Sequence, residues 1–229
     1  MPRPLQPPIS LLINAMVNLD LQQEEGQMPN PVFPESNQTL YLDKLAHILD
    51  LALRSYSTED LDRLGSPLVQ VLLQISKAAP IGPKSHLCTI FLPSERDREN
   101  VLGKGDSLPS RLLSFFNQAT APHLGILVPA FYFELSDNDV DSFVGHVGYG
   151  LAAGFLRAND IQPGLSAQTD VTDSHENLNR INPITGQRLH NEAQLPSPPM
   201  TDEEKEREAE RLFILFERLV CSASRYIAR

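Results

Sequence analysis

The sequence predicts an all-α protein of the α-solenoid type, and three observations predict it. Through most of the first 160 residues the apolar positions recur at intervals of three and four, the spacing of one face of a helix. Joints of Pro, Gly and Ser divide that stretch into pieces of about 10–20 residues, the usual helix length. No regular alternation of strand and helix is present, so a parallel α/β sheet is not expected. Amphipathic helices of this length cannot bury their faces alone, and stacking each on its neighbours is what makes a solenoid.

The elements follow in chain order. Behind Pro7 and Pro8, the residues Ile9, Leu12, Ile13, Met16 and Val17 form one helical stripe. A polar, proline-bearing loop runs from Gln22 to Pro34. A long helix then carries Leu40, Tyr41, Leu45, Ile48, Leu49, Ala52, Leu53 and Tyr56 on one face, with Ser36 or Asn37 as its cap. Thr58, Glu59 and Asp60 open a further turn, acids first, as the positive end of a helix dipole favours. Gly65 closes that turn. Ser66-Pro67 restarts the chain as N-cap and first helical residue, and the stripe Leu68, Val71, Leu72, Ile75 runs on until Pro80-Ile81-Gly82-Pro83 stops it.

Ser94-Glu95-Arg96-Asp97 has the capping-box pattern and starts a short polar helix that Gly103 and Gly105 end. Asp106 and Ser107 offer caps for a helix through Pro109, Leu112, Leu113, Phe115 and Phe116. Beyond Pro122, the residues Leu124, Leu127, Val128, Phe131 and Leu135 fit a helix kinked at Pro129. The same apolar run could form a buried strand, but a proline within a central strand removes a ladder hydrogen bond, which favours the helix. Asp137 or Asp139 caps a last apolar helix that reaches Leu156, with a break at its glycines left open.

Residues 162–199 lose all periodicity and read as a polar, poorly ordered linker or an extended segment clinging to the surface. A strong helix then begins at Met200. Thr201 to Glu204 is a capping box, Glu203 and Arg207 form a favourable pair four apart, and Leu212, Phe213, Phe216 and Leu219 make a stripe suited to a partner. The expected division is therefore helical repeats over 1–160, linker over 161–199 and C-terminal helix over 200–229. The late prolines, among 19 in the chain, fall in that linker.

Composition removes several function classes. With 19 Lys+Arg against 29 Asp+Glu the net charge is −10, which does not suit a protein that grips a phosphate backbone. Cys88 and Cys221 make no disulfide framework and have no metal-ligand spacing, so they read as reduced thiols. The N-terminus lacks the plan of a signal peptide, and the longest apolar stretch, Leu124 to Leu135, is too short to span a bilayer. A cytoplasmic protein is expected.

Gly148-Tyr149-Gly150 through Gly154 has the look of a dinucleotide loop, with Asp170 beyond it, but helix-like sequence precedes it where a strand is required. Close helix approach and a tight bend at small residues explain it instead. Gly103-Lys104-Gly105-Asp106-Ser107 is not a phosphate loop, because neither Ser nor Thr follows Lys104. The histidines His47, His86, His123, His146, His175 and His190 show no zinc spacing. No cofactor and no covalent chemistry are expected. Thr169 to Glu176 interleaves hydroxyls with acids, which suits an acidophilic kinase as well as a plain solvated loop.

Three stretches carry a family resemblance: HVGYGLAAGFL (146–156), NPITGQRL (182–189) and, above all, PMTDEEKEREAERLFILFERL (199–219). They resemble the C-terminal half of the synembryns, and PPISLLINAMVNLD and LPSRLLSFF (108–116) fit the same alignment in order. The resemblance implies an armadillo/HEAT-like solenoid and a non-receptor guanine nucleotide exchange factor and chaperone for heterotrimeric G-protein α subunits. It implies a mechanism by conformation, in which the empty α subunit is held and GTP releases it, with no catalytic, cofactor-binding or metal residue. Phosphorylation would fall near Thr169 and Thr172, and Leu212, Phe213, Phe216 and Leu219 would be the docking face. The protein is expected to act as a monomer with the α subunit as partner, to bind no nucleic acid, and to reach the membrane through that subunit. A family member is about twice as long, so the chain reads as a truncated or reduced form.

Overall fold

The computed structural model describes residues 3–19, 32–116, 118–161, 181–192 and 205–211. The chain forms two compact units, Met1–Glu192 and Ala193–Arg229. In the first unit the order is α1 (Ile9–Val17), α2 (Leu40–Ser55), α3 (Thr58–Leu64), α4 (Ser66–Ala78), α5 (Ile81–Phe91), α6 (Leu108–Leu113), α7 (Pro122–Leu135), α8 (Val140–Val147) and α9 (Tyr149–Ala158). Single 3₁₀ turns occur at Asp97–Glu99 and Leu189–Asn191. Among the described residues the protein is all helical apart from one isolated antiparallel bridge between Ile181 and Arg188. In the second unit residues 205–211 are helical.

The centre of the first unit is α4. Leu68, Val69, Val71, Leu72, Leu73 and Ile75 are all buried, so this helix is apolar on nearly every side. Such a helix must be surrounded, and α7 supplies the largest neighbouring face, followed by α1, α3 and α2. From α7 come Leu124, Val128, Phe131, Tyr132 and Leu135. Aromatic rings extend the core. Phe131 meets Phe91 of α5 edge-on with centroids 5.1 Å apart, and Phe143 of α8 lies between Phe133 and Phe155 at 5.4 and 5.7 Å. Edge-to-face pairs at these spacings add to plain burial.

The ambiguous run around Pro129 is settled as helix: α7 is continuous from Pro122 to Leu135 with Pro129 inside it. Pro122 sits in the first turn, where its missing N–H costs nothing. The last apolar helix is in fact two, α8 and α9, separated at Gly148 with φ +80.

Several local expectations differ from the structure. Helix α5 begins at the Pro80-Ile81-Gly82-Pro83 run read as a stop. Pro80 is the flanking residue and Pro83 lies in the first turn, where no intrahelical N–H is needed, so the same prolines that end α4 start α5. The Ser94 box forms, with Ser94 N and Oγ donating to Asp97 Oδ2 at 2.8 and 2.6 Å, but it starts only one 3₁₀ turn. Neither Ser36 nor Asn37 is the N-cap of α2; Thr39 holds that position, and Asn37 Oδ1 accepts from Thr39 N at 3.1 Å. Ser66 opens α4 but its hydroxyl bonds back to Asp62 O. Ser107 and Asp139 do cap α6 and α8, accepting from Ser110 N at 3.2 Å and Ser142 N at 2.8 Å. Asp137 instead adopts φ 57 and pairs with Lys84 at 2.8 Å.

The N-terminus of α7 is fixed from a distance. Asp62 of α3 accepts from Leu124 N at 2.8 Å and from His123 Nδ1 at 2.7 Å. Burial pushes the Asp62 carboxyl up, but these hydrogen bonds and the imidazole outweigh it and hold it below the ordinary 3.8. A carboxylate held low favours the folded state above its ordinary pKa, and that contribution disappears as pH falls through the lowered value. Asp62→Ala orphans the Leu124 N–H and is expected to cost about 1–3 kcal/mol in urea denaturation at pH 7. Asp62→Asn keeps an acceptor for Leu124 and should flatten the loss of stability below pH 3.8 relative to the native protein.

Candidate functional site

The densest polar arrangement in the first unit joins residues 181–192 to the α8–α9 junction. The segment first closes on itself. Asn182 Oδ1 accepts from Ile184 N at 2.8 Å, and Asn182 O accepts from Gly186 N at 2.8 Å, a turn that Asn, Pro and Gly each favour. Glu192 Oε1 then receives Asn182 Nδ2 at 2.7 Å and Thr185 Oγ1 at 2.8 Å, tying the end of the segment to its start.

This closed turn is clasped onto the helices from two sides. Pro183 O and Ile184 O accept from Tyr149 N and Gly150 N, both at 2.8 Å, and so satisfy the first amides of α9. Gly148 permits the approach. A Cβ there would lie 2.8 Å from Gly186 N and 2.9 Å from Ile184 O, at a φ that L side chains avoid. Gly186, at φ +68, faces Leu102 so closely that a Cβ would sit 2.5 Å from Leu102 Cδ1. The small residues of the 146–156 motif thus accommodate a crossing turn, and Tyr149 and Gly150 are engaged by carbonyls rather than open to a phosphate.

From the other side comes Arg98, 5% exposed in the 3₁₀ turn that the Ser94 box begins. Its Nη1 donates to Gly186 O at 3.0 Å, and its Nη2 to Gly145 O and His146 O, both at 3.1 Å. One guanidinium therefore bridges the end of α8 and the clasp. Its carbonyl accepts from Arg188 N at 2.9 Å, and buried Gln187 donates to Glu99 O at 3.3 Å. Arg188 also pairs with Glu95, and that hydrogen bond holds the Glu95 carboxyl below its usual range. Burial pulls the Arg98 pKa down while Glu95 and Asp97 raise it; a guanidinium stays charged throughout.

His146 lies at the inner edge of the clasp. Ser136 Oγ lies 2.9 Å from Tyr132 O, to which it gives its one proton, and 3.0 Å from His146 Nδ1. The imidazole must therefore donate from Nδ1. Burial and then the Arg98 charge hold His146 below its ordinary 6.5.

The surface of this clasp carries exposed Tyr149, Ile181, Ile184 and Leu189, so its outer side is apolar while its inner side is hydrogen-bonded. Among the described residues no group of three or more His, Cys, Asp or Glu could hold a metal ion, and no helix is long and apolar enough to cross a membrane. Of the residues singled out from sequence, Thr169 and Thr172 lie outside the described residues, as do Leu212, Phe213, Phe216 and Leu219. Arg98 and Gln187 were missed, because the contacts that join them across the clasp run to backbone groups 47 to 88 positions away that no local pattern announces.

Arg98→Ala leaves three carbonyls without their donor. It is expected to cost about 2–4 kcal/mol and to raise amide exchange at Tyr149, Gly150 and Gly186 while α4 stays protected. Arg98→Lys does not restore protection, since an ammonium cannot reproduce the planar fork. The His146 contribution to clasp stability is present above pH 6.5 and is lost as pH falls through its lowered value. Unchanged exchange at Tyr149 and Gly150 in Arg98→Ala contradicts the assignment.

Comparison with known proteins places this arrangement in a family. The family described as guanine nucleotide exchange factor synembryn matches residues 1–222. A synembryn-like chaperone of Schizosaccharomyces pombe is 28% identical over 197 residues, 80% of this chain and 36% of that protein. Chaperone Ric-8A of Gallus gallus is 30% identical over 222 residues, 90% of this chain and 40% of its own. Chaperone Ric-8A of Danio rerio is 32% identical over 136 residues, 56% of this chain and 24% of its own. The chain spans less than half the length of these curated relatives. With the family matched over residues 1–222, nearly the whole sequence and both the clasp and the glycine-rich junction that receives it, the chain belongs to the synembryn family.

Proposed function

We propose that this chain acts on the α subunits of heterotrimeric G proteins as a chaperone and non-receptor guanine nucleotide exchange factor. The observation that carries the reading is the synembryn match over residues 1–222, supported by relatives named as chaperones. An armadillo/HEAT-like stack of helices in the cytoplasm, acting as a monomer and reaching membranes through the α subunit, is the form this reading gives it.

The physical mechanism is differential binding. A factor that binds the nucleotide-free α subunit more tightly than the loaded one lowers the cost of losing GDP, and by linkage GTP lowers the affinity for the factor. No side chain of the chain makes or breaks a covalent bond in this scheme. The apolar stripe Leu212, Phe213, Phe216 and Leu219 is the docking face in this reading, and phosphorylation at Thr169 and Thr172 adds charge before it.

A second reading rests on the all-helical architecture of the described residues alone. It is a helical scaffold that binds the α subunit without speeding exchange. GDP release from a purified α subunit, followed with increasing full-length chain, separates the two. Faster release that grows with concentration is the expected result. Binding without acceleration supports the scaffold, and neither binding nor acceleration overturns both.

A further inference from the structure

A cavity of ≈ 270 Å³ opens where the end of α2, the start of α3 and the Gly103-Lys104-Gly105 loop meet α6. Its apolar wall is Leu53, Tyr56, Leu61 and Phe115. Among the described residues two cations, Lys104 and Arg111, line it and no carboxylate does, in a chain of net charge −10. Hydrogen-bonding side chains at Thr58, Ser114 and Gln118 share the lining.

The cations are placed by the fold. Arg111 Nε donates to Asp106 O at 2.9 Å and Nη2 to Asp106 Oδ1 at 3.1 Å, which fixes the guanidinium and leaves Nη1 without a partner among the described residues. Asp106 itself is fully exposed, so solvent screens its charge. Lys104 makes no ion pair among the described residues. Gly103 takes φ +84, the turn that sets Lys104 beside the cavity. Arg3, outside the lining, lies over the Tyr56 ring with its Cζ 5.7 Å from the centroid. The nearest acids on α3 are Glu59 and Asp60, of which Asp60 pairs with Arg63 at 3.5 Å.

The Gly-Lys-Gly loop fails as a nucleotide-binding sequence, yet it contributes to a concave, cationic, half-apolar space. Lone cations are ordinary on a surface; two lining one concavity of mixed polar and apolar walls, with no acid in the described lining, match an anion that carries an apolar group. We propose that this cavity binds a small organic oxyanion, a carboxylate or phosphate monoester borne on a ring or short aliphatic group. The charged end meets Lys104 and Arg111, and the apolar part lies against Tyr56 and Phe115. The proposal does not rest on exchange activity.

An NMR titration of the full chain with phenyl phosphate, inorganic phosphate and phenol tests it without any α subunit. Phenyl phosphate is expected to give saturable shifts at the Gly103, Gly105 and Ser114 amides. It should do so at concentrations about fivefold below inorganic phosphate, with phenol silent. Lys104→Glu, at an exposed position that does not threaten folding, should weaken phenyl phosphate about tenfold or more, and so should Arg111→Gln. Lys77→Glu, outside the cavity, should leave it unchanged. Competition with the acetylated, amidated dipeptide Glu-Phe assigns the source. Displacement by the dipeptide at lower concentration than phenyl phosphate marks a protein side chain as the ligand, and the reverse marks a free solute. Shifts that do not saturate, that phenol reproduces, or that persist unweakened in Lys104→Glu overturn the proposal.

Discussion

The helical body depends on one constraint: α4 is too apolar to face water on more than a sliver of its surface. Leu68, Val71, Leu72 and Ile75 are 0% exposed, and Val69 and Leu73 are buried on the sides that an amphipathic helix would leave open. Each such side chain is worth about 1.5–3 kcal/mol when taken from water, so the surrounding helices are recruited to cover it. What apolar burial does not fix is where each helix stops and starts, and polar ties supply that. Asp62 holds the start of α7, Gln74 of α4 donates to Val17 O at 3.0 Å to hold the end of α1, and Lys84 of α5 reaches Glu134 and Asp137 beyond α7.

The same division of labour explains the clasp. Burial places Phe143, Val147, Ala152 and Leu156 in the core and so sets α8 and α9 against the rest. It leaves the first amides of α9 and the last carbonyls of α8 unpaired at the break. The 182–189 turn supplies acceptors for the former and Arg98 donors for the latter. A segment whose apolar side chains are exposed is thereby held by hydrogen bonds rather than by burial. Its outer side, with Tyr149, Ile184 and Leu189 exposed, gives the glycine-rich 146–156 stretch a consequence for surface shape.

How far the sequence is legible follows from these two kinds of force. Periodicity revealed α2, α4 and α7, because long apolar stripes are the direct signature of burial, and Ser107 and Asp139 were readable as caps because capping is local. Helix α5 was not, since its buried residues are only Pro83, Leu87 and Phe91 and its start coincides with two prolines that also end α4. Arg98 was invisible for a different reason: a buried arginine whose acceptors are carbonyls 47 to 88 positions away leaves no spacing to read. The NPITGQRL motif was legible as a turn and as a family mark, while its docking site was not. The glycine run was legible as a close approach and a tight bend, but the approaching partner is a turn and not a helix.

The central functional claim is a preference of the chain for one state of its partner. The most direct test is the equilibrium affinity of the full chain for one G-protein α subunit, measured once free of nucleotide and once loaded with a non-hydrolysable GTP analogue. Tighter binding to the nucleotide-free subunit is the predicted result. Equal affinity for the two states, however tight, would contradict the account, because a protein that does not distinguish them cannot shift the equilibrium between them.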